Sequence, residues 1–300
     1  MEHIRKDGRS GVNQHEIKKA PIMITLIIGV FFAILNETLL NVAFVDLMED
    51  LQVSATTVQW LATGFLLVVG ILVPASALLV QWFTTRQMFI GAMTLFTIGT
   101  VIAGIAPNFW VLLIGRIIQA SGTGLLIPVM MNTILVLFPP DKRGAAMGSM
   151  GLVIMFAPAI GPTVSGLILD FLSWRWLFFI VLPFVIFSIV FAAIYLKNVT
   201  EVTKPKVDVL SIILSTLGFG GIVFGFSIGG EGGEGPTSWT IANFTIPITT
   251  IVYTSLIIGG ISLILFVWRQ LAVKEPLLDV RAFKSPMFSL TAVLMIIAMM

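Results

Sequence analysis

Apolar runs of about 20 residues, separated by short polar breaks, recur along the chain and restrict its fold more than any other feature. Each run has the length a helix needs to cross a hydrocarbon core about 30 Å thick, and none shows the alternating ten-residue pattern of an outer-membrane strand. They fall near 22–44, 57–80, 87–106, 109–136, 145–169, 175–196, 208–228 and 246–268. A ninth begins near 287 and reaches Met300 before it is long enough to cross, so the chain is expected to be part of a longer one. Charged residues fill 11% of the 300 positions and hydrophobic ones 57%. That balance cannot cover a water-facing surface, for which about 25% charged is usual. The expected fold class is an all-α polytopic membrane protein.

Orientation follows from where the basic residues collect, because short loops rich in Lys and Arg stay cytoplasmic. With the polar tail 1–20 inside, fifteen of the 17 Lys and Arg residues fall on the inner side, Arg86 among them, and only Arg175 falls outside. Arg116 lies within the fourth run. The outer breaks carry the acids Asp46, Glu49, Asp50, Glu231 and Glu234. The Trp residues sit at run ends or in a loop, as aromatic belts require. The run after Pro21 is too long for a signal-peptide core and lacks a small-x-small cleavage site, so it is read as a retained first span. The expected location is the cell membrane, multi-pass, with the N-terminus cytoplasmic.

Several function classes drop out. With no Cys, and with His3 and His15 both in the tail, thiol chemistry and a Cys or His metal site are not indicated. The Gly-rich stretch 229–235 lacks the Lys-Ser/Thr ending of a phosphate loop and reads as an outer turn. No cofactor is indicated. A net charge of +2, sorted by membrane side, is no sign of nucleic-acid binding. No nucleophile–base pair suggests an enzyme. Asp170, beside Trp174-Arg175-Trp176, is expected to be solvated or paired with Arg175.

Three runs contain residues that apolar spans do not need. The first carries Asn36, Glu37 and Asn41. A carboxylate at that depth costs a few kcal/mol and persists mainly where it faces a wet cavity or a partner, as in proton relay. The structural alternative is a protonated Glu37 hydrogen-bonded between helices. The fourth carries Arg116 and Gln119, three residues apart and therefore on one helical face. Glu37 lies roughly 23 Å from the cytosolic start of its span and Arg116 roughly 10 Å from the outer edge, so the two are expected at similar depth. Similar depth brings Arg116 to the Asn36–Glu37 cluster only if the two runs pack side by side with these faces together, in which case the guanidinium favours the ionised Glu37 carboxylate while burial opposes it. Neighbouring residues point about 100° apart, so Glu37 can instead face another helix and leave Asn36 as the cavity residue. In the fifth, Ala157, Gly161 and Ser165 recur every fourth position as a smooth stripe for close helix packing, while Pro158 and Pro162 invite a bend. That stripe, with Gly166, is read as a static kink or as a moving hinge or seal, packed against a helix of this chain or of the part that follows.

These segments, in this order, resemble the major facilitator superfamily, specifically the fourteen-span drug/proton antiporters of the EmrB/QacA type. Leu35 to Val45 resembles the first-span signature Leu-Asp-x-Thr-Ile-Val-Asn-Val-Ala-x-Pro, with Asn36 in place of Asp and Val45 in place of Pro. Arg116, Gln119 and Ala120 resemble Arg-x-x-Gln-Gly, and Gly161 to Gly166 resembles Gly-Pro-x-x-Gly-Gly. The stretches 138–148 and 173–176 are also family-like. Between the second and third spans the pattern Gly-x-x-x-Asp-Arg-x-Gly-Arg survives mainly as Gln81 and Arg86. The resemblance implies a six-helix transport bundle over 21–196, two inserted spans within 197–268 and the start of a second bundle over 269–300. It also implies export of small amphipathic compounds in exchange for protons by alternating access, with Asn41 and Gln119 lining the cavity and with the first and fourth spans both facing it, so that Arg116 approaches the Asn36–Glu37 cluster and holds the Glu37 carboxylate ionised until protonation or cargo releases it. The partners implied are such a substrate, protons, the lipid bilayer and the remainder of the same chain. A narrow exporter of one metabolite or antibiotic is the alternative, and a channel or membrane enzyme a more distant one.

Overall fold

The computed structural model describes residues 19–196, 198, 208–229, 238–241, 244–273 and 280–299. The basic tail and most of the 229–235 stretch lie outside the described residues.

Helix α1 (Lys19–Val42) is the first span, and a short amphipathic helix α2 (Phe44–Leu51) follows it. Leu47 of α2 is buried, and Asp46, Glu49 and Asp50 are exposed. Then come α3 (Ala55–Trp82), α4 (Thr85–Gly104), α5 (Phe109–Leu137) and α6 (Pro140–Phe171). The sixth span, Trp176–Tyr195, consists of a single turn α7 (Trp176–Phe179) leading into α8 (Leu182–Tyr195). Helices α9 (Val209–Gly229) and α10 (Ile248–Ala272) complete eight spans among the described residues, and α11 (Pro286–Met299) begins another helix. The connection between α9 and α10 carries an antiparallel hairpin of β1 (Ser238–Ile241) and β2 (Phe244–Pro247), which the apolar pattern did not predict.

Local chemistry sets the boundaries. Ser54 and Asn108 cap α3 and α5 by accepting from the backbone N–H groups of Thr57 and Val111, and Thr84 and Gln87 form a reciprocal capping box on α4. Helix α6 starts at Pro140, five residues before the predicted span, because proline suits the first helical turn. Arg143 turns back from α6 to donate to the carbonyls of Phe138 (3.0 Å) and Leu135 (2.7 Å), satisfying the last turn of α5. The helix continues through Pro158 and Pro162, both on its exposed side.

The bundle packs α1 against α6 and α8, α4 against α5, and α3 against α5 on one side and α9 on the other. Helices α4 and α5 approach so closely that a Cβ on Gly115 would stand 2.7 Å from the Ala103 nitrogen. At one end of the bundle Arg175 pairs with Asp50 (3.0 Å), not with Asp170, which is exposed. Arg86, on the opposite side, donates to the Ala193 carbonyl near the end of α8.

Helices α9 and α10 are clamped at one end by Asp208. The Arg269 guanidinium grips its carboxylate through Nε (2.9 Å) and Nη2 (2.8 Å), and the Ser211 hydroxyl donates to it at 2.6 Å. Buried Gln270 donates to that hydroxyl. The Arg269 fork, with help from Ser211, holds the Asp208 carboxyl at about 2, below its ordinary 3.8. A depressed carboxylate stabilises the fold above its unfolded value, and that contribution is lost as pH falls through about 2. Asp208→Asn is therefore expected to lower the thermal unfolding midpoint of the purified protein at neutral pH, with the difference from the native protein vanishing in strong acid. An equal difference at both pH values would remove the clamp from the stability of this helix pair.

Candidate functional site

The polar residues singled out on α1 and α5 meet in the interior. Arg116 is 1% exposed, Gln119 0% and Asn36 1%, so their hydrogen-bonding groups must be satisfied by protein. Arg116 Nη1 donates to Gln119 Oε1 at 2.7 Å and, at the outer limit of a hydrogen bond, to Asn36 Oδ1 at 3.5 Å. Gln119 Nε2 donates to Asn36 Oδ1 (2.7 Å) and to Thr100 Oγ1 of α4 (2.8 Å). Asn36 Nδ2 donates to the Leu177 carbonyl of α7 at 3.2 Å. The Phe65 ring of α3 lies against the guanidinium, 4.1 Å from its carbon to the ring centroid. Four elements thus converge on one cation, and Phe65 gives a fifth. Arg116 Nε has no hydrogen-bond partner among the described residues.

The amide at position 36 suits this geometry. Its oxygen accepts from Gln119 and Arg116 while its nitrogen donates to a carbonyl; an ionised Asp there would set an acceptor against the Leu177 oxygen. Arg116 therefore meets the α1 cluster at Asn36. Glu37 is half-buried and makes no hydrogen bond or close ion pair among the described residues, but it lies within electrostatic reach of Arg116. Asn41, one turn on, is exposed. Gln119 sits inside the network, fully buried.

The stripe on α6 faces α1. Ala157, Gly161 and Ser165 are all buried, and Ser165 Oγ donates to the Leu39 carbonyl at 2.8 Å. Gly161 lies against Thr38, so closely that a Cβ there would be 2.9 Å from the Thr38 Cβ and nearer still to its hydroxyl. Its partner is thus within this chain. Gly166 is not part of the tight contact: a Cβ on it would meet nothing within 4 Å. Thr100, Phe65 and the Leu177 carbonyl were not singled out from sequence. Threonine within an apolar span commonly bonds its own helix, as Thr100 also does to Phe96 (2.7 Å), so its residue type alone carried no signal.

The site is thus a buried cation held by neutral side chains between helices long and apolar enough to cross a membrane. Residues 26–300 match the Major Facilitator Superfamily, and the chain belongs to that family. It is 57% identical over 285 residues to the lincomycin resistance protein LmrB of Bacillus subtilis, covering 95% of this chain and 57% of that protein. The protein of the same name from Listeria monocytogenes is 52% identical over 285 residues, covering 95% and 58%. The chain thus spans little more than half the length of these relatives. The fold is shared with the human organic anion transporter MFSD10 (TM-score 0.57, 13% identity, 73% of this chain and 57% of that one). It is shared equally with a peptide transporter POT solved with alafosfalin (TM-score 0.57, 15% identity, 84% and 68%).

Proposed function

We propose that the full-length protein is a secondary transporter of the fourteen-span drug/proton antiporter type, exporting small amphipathic compounds in exchange for protons by alternating access. The N-terminus is cytosolic in this reading, and α9–α10 are the pair of spans inserted between two bundles. The observation that carries it is the division of labour on α1. Asn36 neutrally anchors Arg116 by hydrogen bonding, while the next residue, Glu37, is a half-buried carboxylate that makes no hydrogen bond among the described residues and feels the Arg116 charge only at a distance. A carboxylate in that position exchanges a proton or meets a cationic cargo without breaking the buried network.

The narrower reading, export of one antibiotic class, is favoured by the names of the relatives at 57% and 52% identity, which point to lincosamides as the first cargo to try. The test is lincomycin-dependent proton flux in vesicles holding the full-length protein. Glu37→Gln is expected to uncouple export from the proton gradient, and Asn36→Asp/Glu37→Gln to restore coupling in part, since a carboxyl returns at nearly the same depth. Unchanged proton-driven export in Glu37→Gln would remove Glu37 from the mechanism.

A further inference from the structure

The buried network does not end at Leu177. The Leu177 backbone N–H donates to the Trp174 carbonyl at 3.1 Å, so the turn whose carbonyl receives Asn36 is tied directly to Trp174. The Trp174 indole Nε1 in turn donates to Asp50 Oδ2 at 2.9 Å, and Arg175 Nη1 reaches the same oxygen at 3.0 Å. Arg175 Nη2 also holds the Ala106 carbonyl, beyond the end of α4, at 3.2 Å. Further bonds, from Trp176 to the Ser173 carbonyl (3.0 Å) and from Phe178 to the Arg175 carbonyl (3.1 Å), make 173–179 a single stiff turn. Its inner side chains Leu177 and Phe178 are fully buried and Trp174 is 3% exposed, while Asp50 lies at the surface. A continuous path therefore runs from an exposed carboxylate through one rigid turn to Asn36, Gln119 and Arg116.

Resting on the transport reading above, we infer that Asp50 and Trp174 are remote positioning residues for Asn36: the outer contact holds α7 where the Leu177 carbonyl fixes the Asn36 amide. The amide has two faces. With its nitrogen on Leu177, its oxygen is turned toward Gln119 and Arg116; if α7 withdraws, that constraint is lost and the amide is free to rotate. Release at the surface thus loosens the buried cation, and loss of the amide loosens the outer turn, because linkage between two sites is reciprocal. Arg175 stiffens the same turn through Ala106, but the direct path to Leu177 runs through Trp174.

Position 181, directly after the turn, gives a reporter. Val181 is 1% exposed and close to cysteine in volume, and this stretch of the chain has no other Cys. In full-length protein freed of any other cysteine, Val181→Cys is labelled with N-ethylmaleimide, whose rate follows how often the turn opens. Asp50→Asn, which removes the charge from the acceptor, and Trp174→Phe, which keeps an aromatic ring but removes the indole donor with its five-membered ring, are each expected to raise the rate roughly tenfold, the scale on which a charge-assisted hydrogen bond is weakened or lost. Asn36→Ala, far from the surface, is expected to raise it several-fold. Asp50→Asn/Asn36→Ala is expected to match the larger single effect rather than the product, and Asp50→Glu to restore slow labelling. An unchanged rate in Asn36→Ala, a rise in Asp50→Asn without one in Trp174→Phe, or a strictly multiplicative double variant would each overturn the inference. Export measured on the same proteins separates the two readings. Labelling that follows this pattern while no variant and no native protein moves lincomycin would leave the linkage standing and reject the cargo.

Discussion

Gly161→Leu in the full-length protein is expected to abolish export while membrane insertion is retained. Insertion depends on the summed transfer free energy of α6, which a leucine improves. Assembly depends on how near α6 comes to α1, and there even a single added carbon would meet the Thr38 Cβ at 2.9 Å. Thr38 cannot swing clear cheaply, because its hydroxyl donates to the Leu35 carbonyl at 2.8 Å. A leucine therefore forces the helices apart and breaks the Ser165–Leu39 bond one turn along. Compensation sharpens the test. Gly161→Ala alone is expected to impair export, whereas Gly161→Ala/Thr38→Gly leaves the Thr38 carbonyl carbon as the nearest atom at 3.7 Å, ordinary contact, and is expected to recover most of it. Normal transport by Gly161→Leu would show that the close approach is dispensable.

Gln119→Leu is expected to destabilise the bundle by about 3 kcal/mol, seen as a lower unfolding midpoint in detergent. The side chain makes three buried hydrogen bonds at once: it accepts from Arg116 and donates to Asn36 and Thr100. A leucine fills similar space but leaves a guanidinium that is 1% exposed with the 3.5 Å contact to Asn36 as its one side-chain hydrogen bond among the described residues, beside the Phe65 ring. Unsatisfied buried polar groups cost about 1–3 kcal/mol each, more when charged, although partners found in the unfolded membrane state reduce the sum. Gln119→Glu separates charge from hydrogen bonding. Its carboxylate pairs with Arg116 but has no proton to give Asn36 or Thr100, so it is expected to recover stability only partly. A Gln119→Leu protein as stable as the native one would mean that the cation is held by Phe65 and its surroundings instead.

The residues differ in how far their roles were legible beforehand. The eight spans were readable because crossing a membrane is a local property of one run, and the described helices fall where those runs do. Arg116 and Gln119 were readable as a pair because three residues along one helix share a face. The spacing of Ala157, Gly161 and Ser165 announced a close contact but not its partner. The Asp50–Arg175 contact was not legible at all: both residues looked like ordinary outer charges, and Asp170 was nearer in sequence.

The sequence by itself determined that the chain crosses a membrane repeatedly as helices, which residues are too polar for that setting, and which family it resembles. Those are sums and spacings along one helix, fixed by the energy of moving side chains from water to hydrocarbon. Only the tertiary structure decided that Arg116 hydrogen-bonds to Asn36 and not to Glu37, that Thr38 receives Gly161, and that α7 joins a surface carboxylate to the buried network. The reason is geometric. Adjacent helical residues diverge by about 100°, so the choice between Asn36 and Glu37 depends on how α1 is rotated against its neighbours. Inside a bilayer that rotation is set by shape and by hydrogen bonds between helices remote in sequence, not by any difference in hydrophobicity.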